Sequence, residues 1–270
     1  MDLTGAHVVL TGASRGIGRQ LVDVLAARGA RLALVARNGD ALDKIVAEVG
    51  VDHAAAFPCD LGDARAIDGL IARIEADRGP VDVLINNAGL DHTGALADMT
   101  AVDLRSVMNV NLIATAELSR QVVPGITARG RGHIVNVSSI GGSLASAGLI
   151  VYCATKAGVN QFTAGLRAEL KGTGVGTTLV EIGPVATEMM DHLRDYAPSA
   201  ASVRRLERAG LSPELDPGVV AAAIVHAIES GRRHLRLPRR QAPMSMLAEA
   251  PRRIGEIITF GLPNPGTTRS

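Results

Sequence analysis

Aromatic residues are nearly missing from this sequence: among 270 residues there is no Trp, and there are three Phe and two Tyr, Tyr152 and Tyr196. That scarcity excludes the stacked-ring platforms that hold single-stranded nucleic acid, and no nucleic-acid partner is expected. It also requires a core of Val, Ile, Leu and Ala, the residues preferred by strands buried on both faces. Cysteine is as scarce. Cys59 and Cys153 are too few for a disulfide framework, and the seven His are scattered singly, so no metal site is expected. The N-terminus runs almost at once into a strand-like segment without a basic, apolar leader, which gives the expectation of a cytoplasmic protein. One long stretch, residues 133–155, lacks Asp, Glu, Lys and Arg, but it contains Asn136 and repeated Ser and Gly. That composition is wrong for a hydrocarbon-spanning helix.

What the sequence does have is alternation. Short β-rich apolar runs occur at His7–Leu10, Arg31–Val35, Ala54–Pro58, Val81–Ile85, His133–Val137, Thr177–Ile182 and His234–Leu237, with segments of helix length between them. The pattern predicts βαβ units and an α/β, Rossmann-like, doubly wound sheet of seven mostly parallel strands, covered on both faces. Asp216-Pro217 before an apolar run predicts a capped helix start. No linker or repeat interrupts the alternation, so residues 1–240 are read as one domain and residues 241–270 as a short helical C-terminal tail. Charge is uneven along the chain: residues 1–200 carry 17 Lys/Arg against 21 Asp/Glu, and residues 201–270 carry 11 Arg against 6 acids.

The segment Thr11-Gly12-Ala13-Ser14-Arg15-Gly16-Ile17-Gly18 follows the first strand and opens the first helix. Glycines in this position let the backbone approach a pyrophosphate, whose charge the helix N-terminus stabilises. The second strand ends Val35-Ala36-Arg37-Asn38, with no acid before Asp40 to accept from a ribose hydroxyl. Arg15 and Arg37, from separate loops, suit a 2′-phosphate instead. The cofactor expected is therefore NADP(H) rather than NAD(H).

Tyr152 and Lys156 lie four residues apart, on one face of a starting helix, in a chain with only three lysines. Ser138 and Ser139 fall just past the fifth strand, where a parallel sheet presents its ligand crevice, and Asn111 lies in the preceding long helical segment. Taken in order, the glycine turn, Asp60, Asn86-Asn87-Ala88-Gly89, Asn109-Val110-Asn111, the serine, Tyr152-Cys153-Ala154-Thr155-Lys156 and Gly183-Pro184-Val185-Ala186-Thr187 resemble the short-chain dehydrogenase/reductase family. The resemblance covers residues 1 to about 238. A spacing of thirteen residues to the tyrosine selects Ser139 as the family's serine.

The resemblance implies a role for each residue. Tyr152 is the general acid in reduction and the base in oxidation, with its pKa lowered by Lys156 and by the positive nicotinamide. Lys156 also holds the nicotinamide ribose. Ser139 bonds the substrate oxygen, and Asn111 positions a water that relays protons to Lys156. Gly12, Ser14, Arg15, Gly16, Ile17 and Gly18 hold the pyrophosphate side, Arg37 the 2′-phosphate, and Asp60 and Leu61 the adenine. Asn87, Ala88 and Gly89 contact the adenine-side ribose, and Gly183, Val185 and Thr187 the carboxamide. The reaction implied is hydride transfer between NADP(H) and a ketone or secondary alcohol. An NADP(H)-sensing regulatory protein, or a lyase or epimerase, is the alternative on this fold. The presence of Asn111, Ser139, Tyr152 and Lys156 together favours the enzyme.

The chain departs from the family in two places: Ile182-Gly183-Pro184 replaces the usual Pro-Gly, and Leu237-Pro238-Arg239-Arg240 replaces a glycine-rich ending. A homodimer or homotetramer is expected. Leu90–Leu96, Gly142–Val151 and Met189–Leu215 are the expected pocket walls, mainly apolar with little fixed charge before residue 188, which points to a lipophilic carbonyl or alcohol substrate. In the tail, Leu247, Ala250, Ile254, Ile257 and Ile258 recur at helical spacing. They are expected to cover the substrate loop or a neighbouring subunit, with peripheral membrane contact beside Arg232, Arg233, Arg236, Arg239 and Arg240 as the alternative.

Overall fold

The Val-, Ile- and Leu-rich runs form seven strands, β1 (His7–Thr11), β2 (Arg31–Ala36), β3 (Ala54–Pro58), β4 (Val83–Asn86), β5 (Gly132–Ser139), β6 (Val175–Ile182) and β7 (His234–Leu237). This computed structural model describes residues 1–187, 196–208, 213–243, 246–247 and 250. The strands lie in the order β3-β2-β1-β4-β5-β6-β7, and every neighbouring pair is parallel, as the alternation predicts. The order reverses between β1 and β4, so a crevice opens there at the strands' C-terminal ends. Strand limits move by at most two residues from the sequence reading, because an apolar pattern marks burial rather than pairing. Val81, for example, is fully buried yet precedes the β4 ladder.

Side chains alternate across the sheet. Val8 and Leu10 pack on one face beneath α1 (Gly16–Ala27) and α2 (Gly39–Val49), whereas Val9 packs on the other face beneath α4 (Leu70–Arg78), which follows the short α3 (Ala64–Ile67). On the face shared with α4, α5 (Ala101–Met108) runs into α6 (Ala114–Ala128) through one π-helical turn, Asn109–Ile113. The sequence reading has Asn111 in a long helix; the structure adds that the residue sits where the helix is widened, a placement common at functional sites. After α7 (Ile150–Glu169) and α8 (Ala197–Arg208) comes α9 (Pro217–Glu229), which packs against α1. Asp216 caps α9, its carboxylate accepting from Val219 N at 2.9 Å, as the Asp-Pro pair predicts.

A polar seam runs through this otherwise apolar body. Asn86 Nδ2 donates to Asn136 Oδ1 at 2.9 Å, and Asn136 Nδ2 donates to Thr163 Oγ1 at 2.9 Å, tying β4 and β5 to α7. Among the described residues, no helix is long and apolar enough to cross a membrane. Most of the tail stripe, and the part of the expected pocket wall at residues 189–195 and 209–212, lie outside the described residues.

His133 on β5 is 4 % exposed, its Nε2 lies 2.8 Å from Thr178 Oγ1, and burial pushes its pKa from 6.5 down to about 4. The fold accepts the neutral ring, whereas the unfolded chain takes up a proton below 6.5, so this site's stability falls as pH drops from 6.5 toward 4. The full span corresponds to about 3 kcal/mol. In urea titrations at neutral pH and near pH ~4.5, the parent is expected to lose about 2–3 kcal/mol more than His133→Gln on acidification. Parallel pH profiles would contradict the assignment.

Candidate active site

The site is built where β1 hands the chain to α1. Gly12 has φ +68°, and a Cβ there would lie 2.9 Å from Ala88 Cα; a Cβ on Gly18 would overlap the Gly12 carbonyl. Both positions therefore need a residue without a side chain, and the same bareness exposes backbone to a ligand. Thr11 fixes the turn from below. Its Oγ1 accepts from Asn87 N and Ala88 N, each at 3.0 Å, and Asn87 Nδ2 donates to Thr11 O at 3.0 Å. The cap residue of α1, Arg15, contributes no side-chain cap, and the first turn carries no acid, so the N-terminus of α1 has no carboxylate of its own turn to offset it.

A cavity of about 610 Å³ extends from this turn in both directions. Ser14, Arg15, Gly16, Ile17, Arg37, Asp60, Leu61, Asn87, Ala88 and Gly89, all named in the sequence reading, line this one cavity. Arg15 and Arg37 are exposed at the end beside β2, where Ala36 and Asn38 complete the wall that follows β2 and Asp40 is not part of it; Asn38 is occupied in capping α2. Cys59, a buried thiol at the end of β3, also lines this end, as does Val110. Sequence reading missed Ala36, Asn38 and Cys59, although each directly adjoins a residue it named.

At the opposite end α7 delivers Tyr152 and Lys156 to the same cavity. Lys156 is 4 % exposed; its Nζ donates to Val137 O at 2.9 Å and lies 5.7 Å from the Tyr152 ring centre. Burial lowers the lysine to about 8. Burial likewise pushes Tyr152 up to about 12, with nearby Cys153 and Asp91 adding to the rise and a hydrogen bond with Ser139 opposing it. Desolvation dominates, and the hydrogen bond with Ser139 is what draws the hydroxyl down.

Alternation resolves the two serines. Ser138 Oγ donates to Lys156 O at 3.2 Å, whereas Ser139 Oγ accepts from Gly141 N at 3.1 Å and reaches Tyr152. Ser139 and Asn111 meet the chemistry through neighbours rather than by lining the cavity wall. Asn111 is 1 % exposed; its Oδ1 accepts from Leu90 N at 2.7 Å, and its Nδ2 donates to Leu90 O at 2.8 Å and Thr155 Oγ1 at 3.1 Å. It fastens the Gly89–Leu90 segment to α7, and a Cβ built on Gly89 would lie 3.6 Å from both Asn111 Oδ1 and Lys156 Nζ.

Gly183 and Val185 do not line the cavity; Ile182, Ala186 and Thr187 do. The Val185 side chain is in the core, because its segment pairs with Leu215, and the Gly183 amide is taken by Leu237 O at 2.7 Å. The pocket wall is also less neutral than its apolar residues suggest, since Asp91 lines the cavity and acts on Tyr152. A charge two residues past Gly89 was visible in the sequence, but not its inward placement.

The bare glycine turn, the helix N-terminus without a side-chain cap and the two arginines on the cavity wall fit a dinucleotide, and the Tyr-Lys-Ser cluster at the far end fits proton transfer beside it. Comparison with known proteins agrees. The short chain dehydrogenase family model matches residues 6–197, and the chain belongs to that family, whose fold binds nicotinamide cofactors for oxidoreductase chemistry. It is 36% identical over 231 residues to the ketoacyl reductase HetN of Nostoc sp., covering 84% of this chain and 77% of that one. A metagenomic short-chain oxidoreductase in complex with NADP is similar in structure, with a TM-score of 0.71 and 29% identity over 88% of this chain and 97% of that one. A short chain dehydrogenase/reductase of Burkholderia phymatum in complex with NAD is also similar, with a TM-score of 0.79 and 25% identity over 100% of this chain and 99% of that one.

Proposed function

We propose that the chain is an NADP(H)-dependent oxidoreductase acting on a lipophilic ketone or the corresponding secondary alcohol, with Tyr152 as general acid and base. The observation that carries the reading is the convergence of Tyr152, Lys156 and, through the Tyr152 hydroxyl, Ser139 at one end of the cavity whose other end holds the glycine turn. Bound nicotinamide supplies the hydride in reduction and accepts it in oxidation. The Ser139 hydroxyl bonds the substrate oxygen and stabilises the charge that develops there. Tyr152, held near 12 by burial, is fully protonated at neutral pH and gives its proton to that oxygen as the carbonyl is reduced. Lys156, near 8, lies next to the tyrosine with a proton to pass on, and Asn111 keeps the Gly89–Leu90 wall in place beside it.

Support for NADP(H) comes from the β2 end, where Arg37 and Arg15 line the cavity and Asp40 does not. A carboxylate at the end of β2 would repel a 2′-phosphate, and guanidinium groups attract it. For the substrate, the apolar walls favour a lipophilic body, and Asp91 disfavours an anion by direct repulsion.

Tyr152→Phe removes the proton donor with little change in packing. Turnover of any ketone that the parent reduces is expected to fall by about 10²–10⁴, with NADPH affinity and thermal stability unchanged. Comparable turnover in the variant would sink the assignment.

Arg37→Asp places a negative charge where the 2′-phosphate is expected. In fluorescence titrations the parent should prefer NADPH to NADH, and the variant should lose at least about tenfold in NADPH affinity, roughly 1.4 kcal/mol. A parent that binds NADH as tightly as NADPH would make Arg15 and Arg37 ordinary surface residues.

A further inference from the structure

Glu181 is a buried carboxylate with no part in the reaction described above. It lies on β6, opposite Ser138 of β5 and Arg236 of β7, and is 4 % exposed. Its Oε1 accepts from Ser143 Oγ at 3.0 Å and from Asn160 Nδ2 at 3.3 Å, and its Oε2 accepts from Arg236 Nε at 2.8 Å. A sheet position of this kind would ordinarily be filled by an apolar residue, since burying a carboxylate costs several kcal/mol unless it is paired and hydrogen-bonded.

The two donors to Oε1 come from the two elements that carry the chemistry. Ser143 ends the single 3₁₀ turn Ile140–Gly142 that Ser139 begins, and its own amide closes that turn on Ile140 O at 2.9 Å. Asn160 lies one turn after Lys156 on α7, the helix that also carries Tyr152. The turn presses directly on that helix: a Cβ on Gly142 would lie 2.7 Å from Asn160 Nδ2 and 2.8 Å from Lys156 O. Such contact fixes the turn's distance from the helix, but not its sliding along it. Hydrogen bonds from both to one oxygen fix that second coordinate, and Arg236 holds the carboxylate itself.

We propose that Glu181 is a positioning residue: it sets Ser139 in register with Tyr152 by holding Ser143 and Asn160 on one carboxylate oxygen anchored to Arg236. The inference rests on the reading of Ser139 and Tyr152 as the working pair. It also explains why an ionised cluster is kept in the sheet beside the site, where apolar packing would be simpler.

The test uses Ser143→Ala and Asn160→Ala, each of which removes one donor and leaves the Glu181–Arg236 pair intact, with Ser143→Thr as the variant that restores the hydroxyl. Three quantities are read in the full-length protein: NADPH affinity, kcat and KM on ketones the parent reduces, and hydrogen exchange of the Gly141 amide, which donates to Ser139 Oγ. Each alanine variant is expected to lose about ten- to a hundredfold in kcat, with NADPH affinity and KM within about twofold, and to exchange Gly141 faster. Ser143→Thr is expected to recover parental values. Unchanged kcat and exchange in both alanine variants overturns the proposal, as does a loss of NADPH affinity in step with kcat, which would mark general loosening. A parent that reduces no ketone means that the oxidoreductase reading has failed; Gly141 exchange in the same variants then decides the positioning claim alone.

Discussion

The contact between the ends of β1 and β4 sets the terms for everything around it. Thr11 accepts two backbone amides from Asn87 and Ala88, and Asn87 returns a hydrogen bond to the Thr11 carbonyl, so the two strand ends are stitched at the point where the sheet reverses its order. The stitch leaves no room for a Cβ on Gly12, and the turn that follows brings α1 so close that none fits on Gly18. Bare backbone and an uncapped helix N-terminus thereby face the crevice together, which is what a pyrophosphate requires. The rest of the site is arranged relative to that fixed point. Gly89, three residues past the end of β4, brings the wall to Asn111 and Lys156, and β5 and α7 carry Ser139 and Tyr152 to the same opening.

Burial governs the chemistry at the far end. Tyr152 and Lys156 are both moved toward their neutral forms, the tyrosine to about 12 and the lysine to about 8. A protonated tyrosine is the form that donates to a nascent alkoxide, so under the proposed function the burial of Tyr152 favours ketone reduction. Oxidation needs the tyrosinate, and the positive ring of the oxidised nicotinamide is the charge that would favour it. The direction of the reaction is in this account coupled to the redox state of the cofactor through one hydroxyl.

Much of the architecture was legible in the sequence because each signal was local. Runs such as Arg31–Val35 and Ala54–Pro58 are bounded by turn residues and pair with each other along nearly their whole length, so pattern and pairing coincide. The cofactor turn could be read because its glycine spacing is itself a local signature between strand and helix, although the contact that requires Gly12 comes from Ala88, far along the chain. What escaped was decided by distant parts of the chain. The burial of Val185 follows from pairing with Leu215, and the inward turn of Asp91 from the anchoring of Leu90 by Asn111. The widening of the helix at Asn109–Ile113 leaves no mark in apolar periodicity. Glu181 reads in sequence as a lone acid near the end of a strand; its meaning appears once Ser143, Asn160 and Arg236, drawn from three other segments, are found around it.

Hydride transfer itself is the central claim, and isotope labelling tests it most directly. The protein is incubated with a panel of lipophilic ketones and NADPH deuterated at nicotinamide C4, each labelled diastereomer being used in turn, and the alcohols are examined by mass spectrometry. The account predicts that one diastereomer delivers a single deuterium to the carbinol carbon of the product while the other delivers none. Alcohol formed without deuterium from either label, or no alcohol from any ketone in the panel, would contradict it.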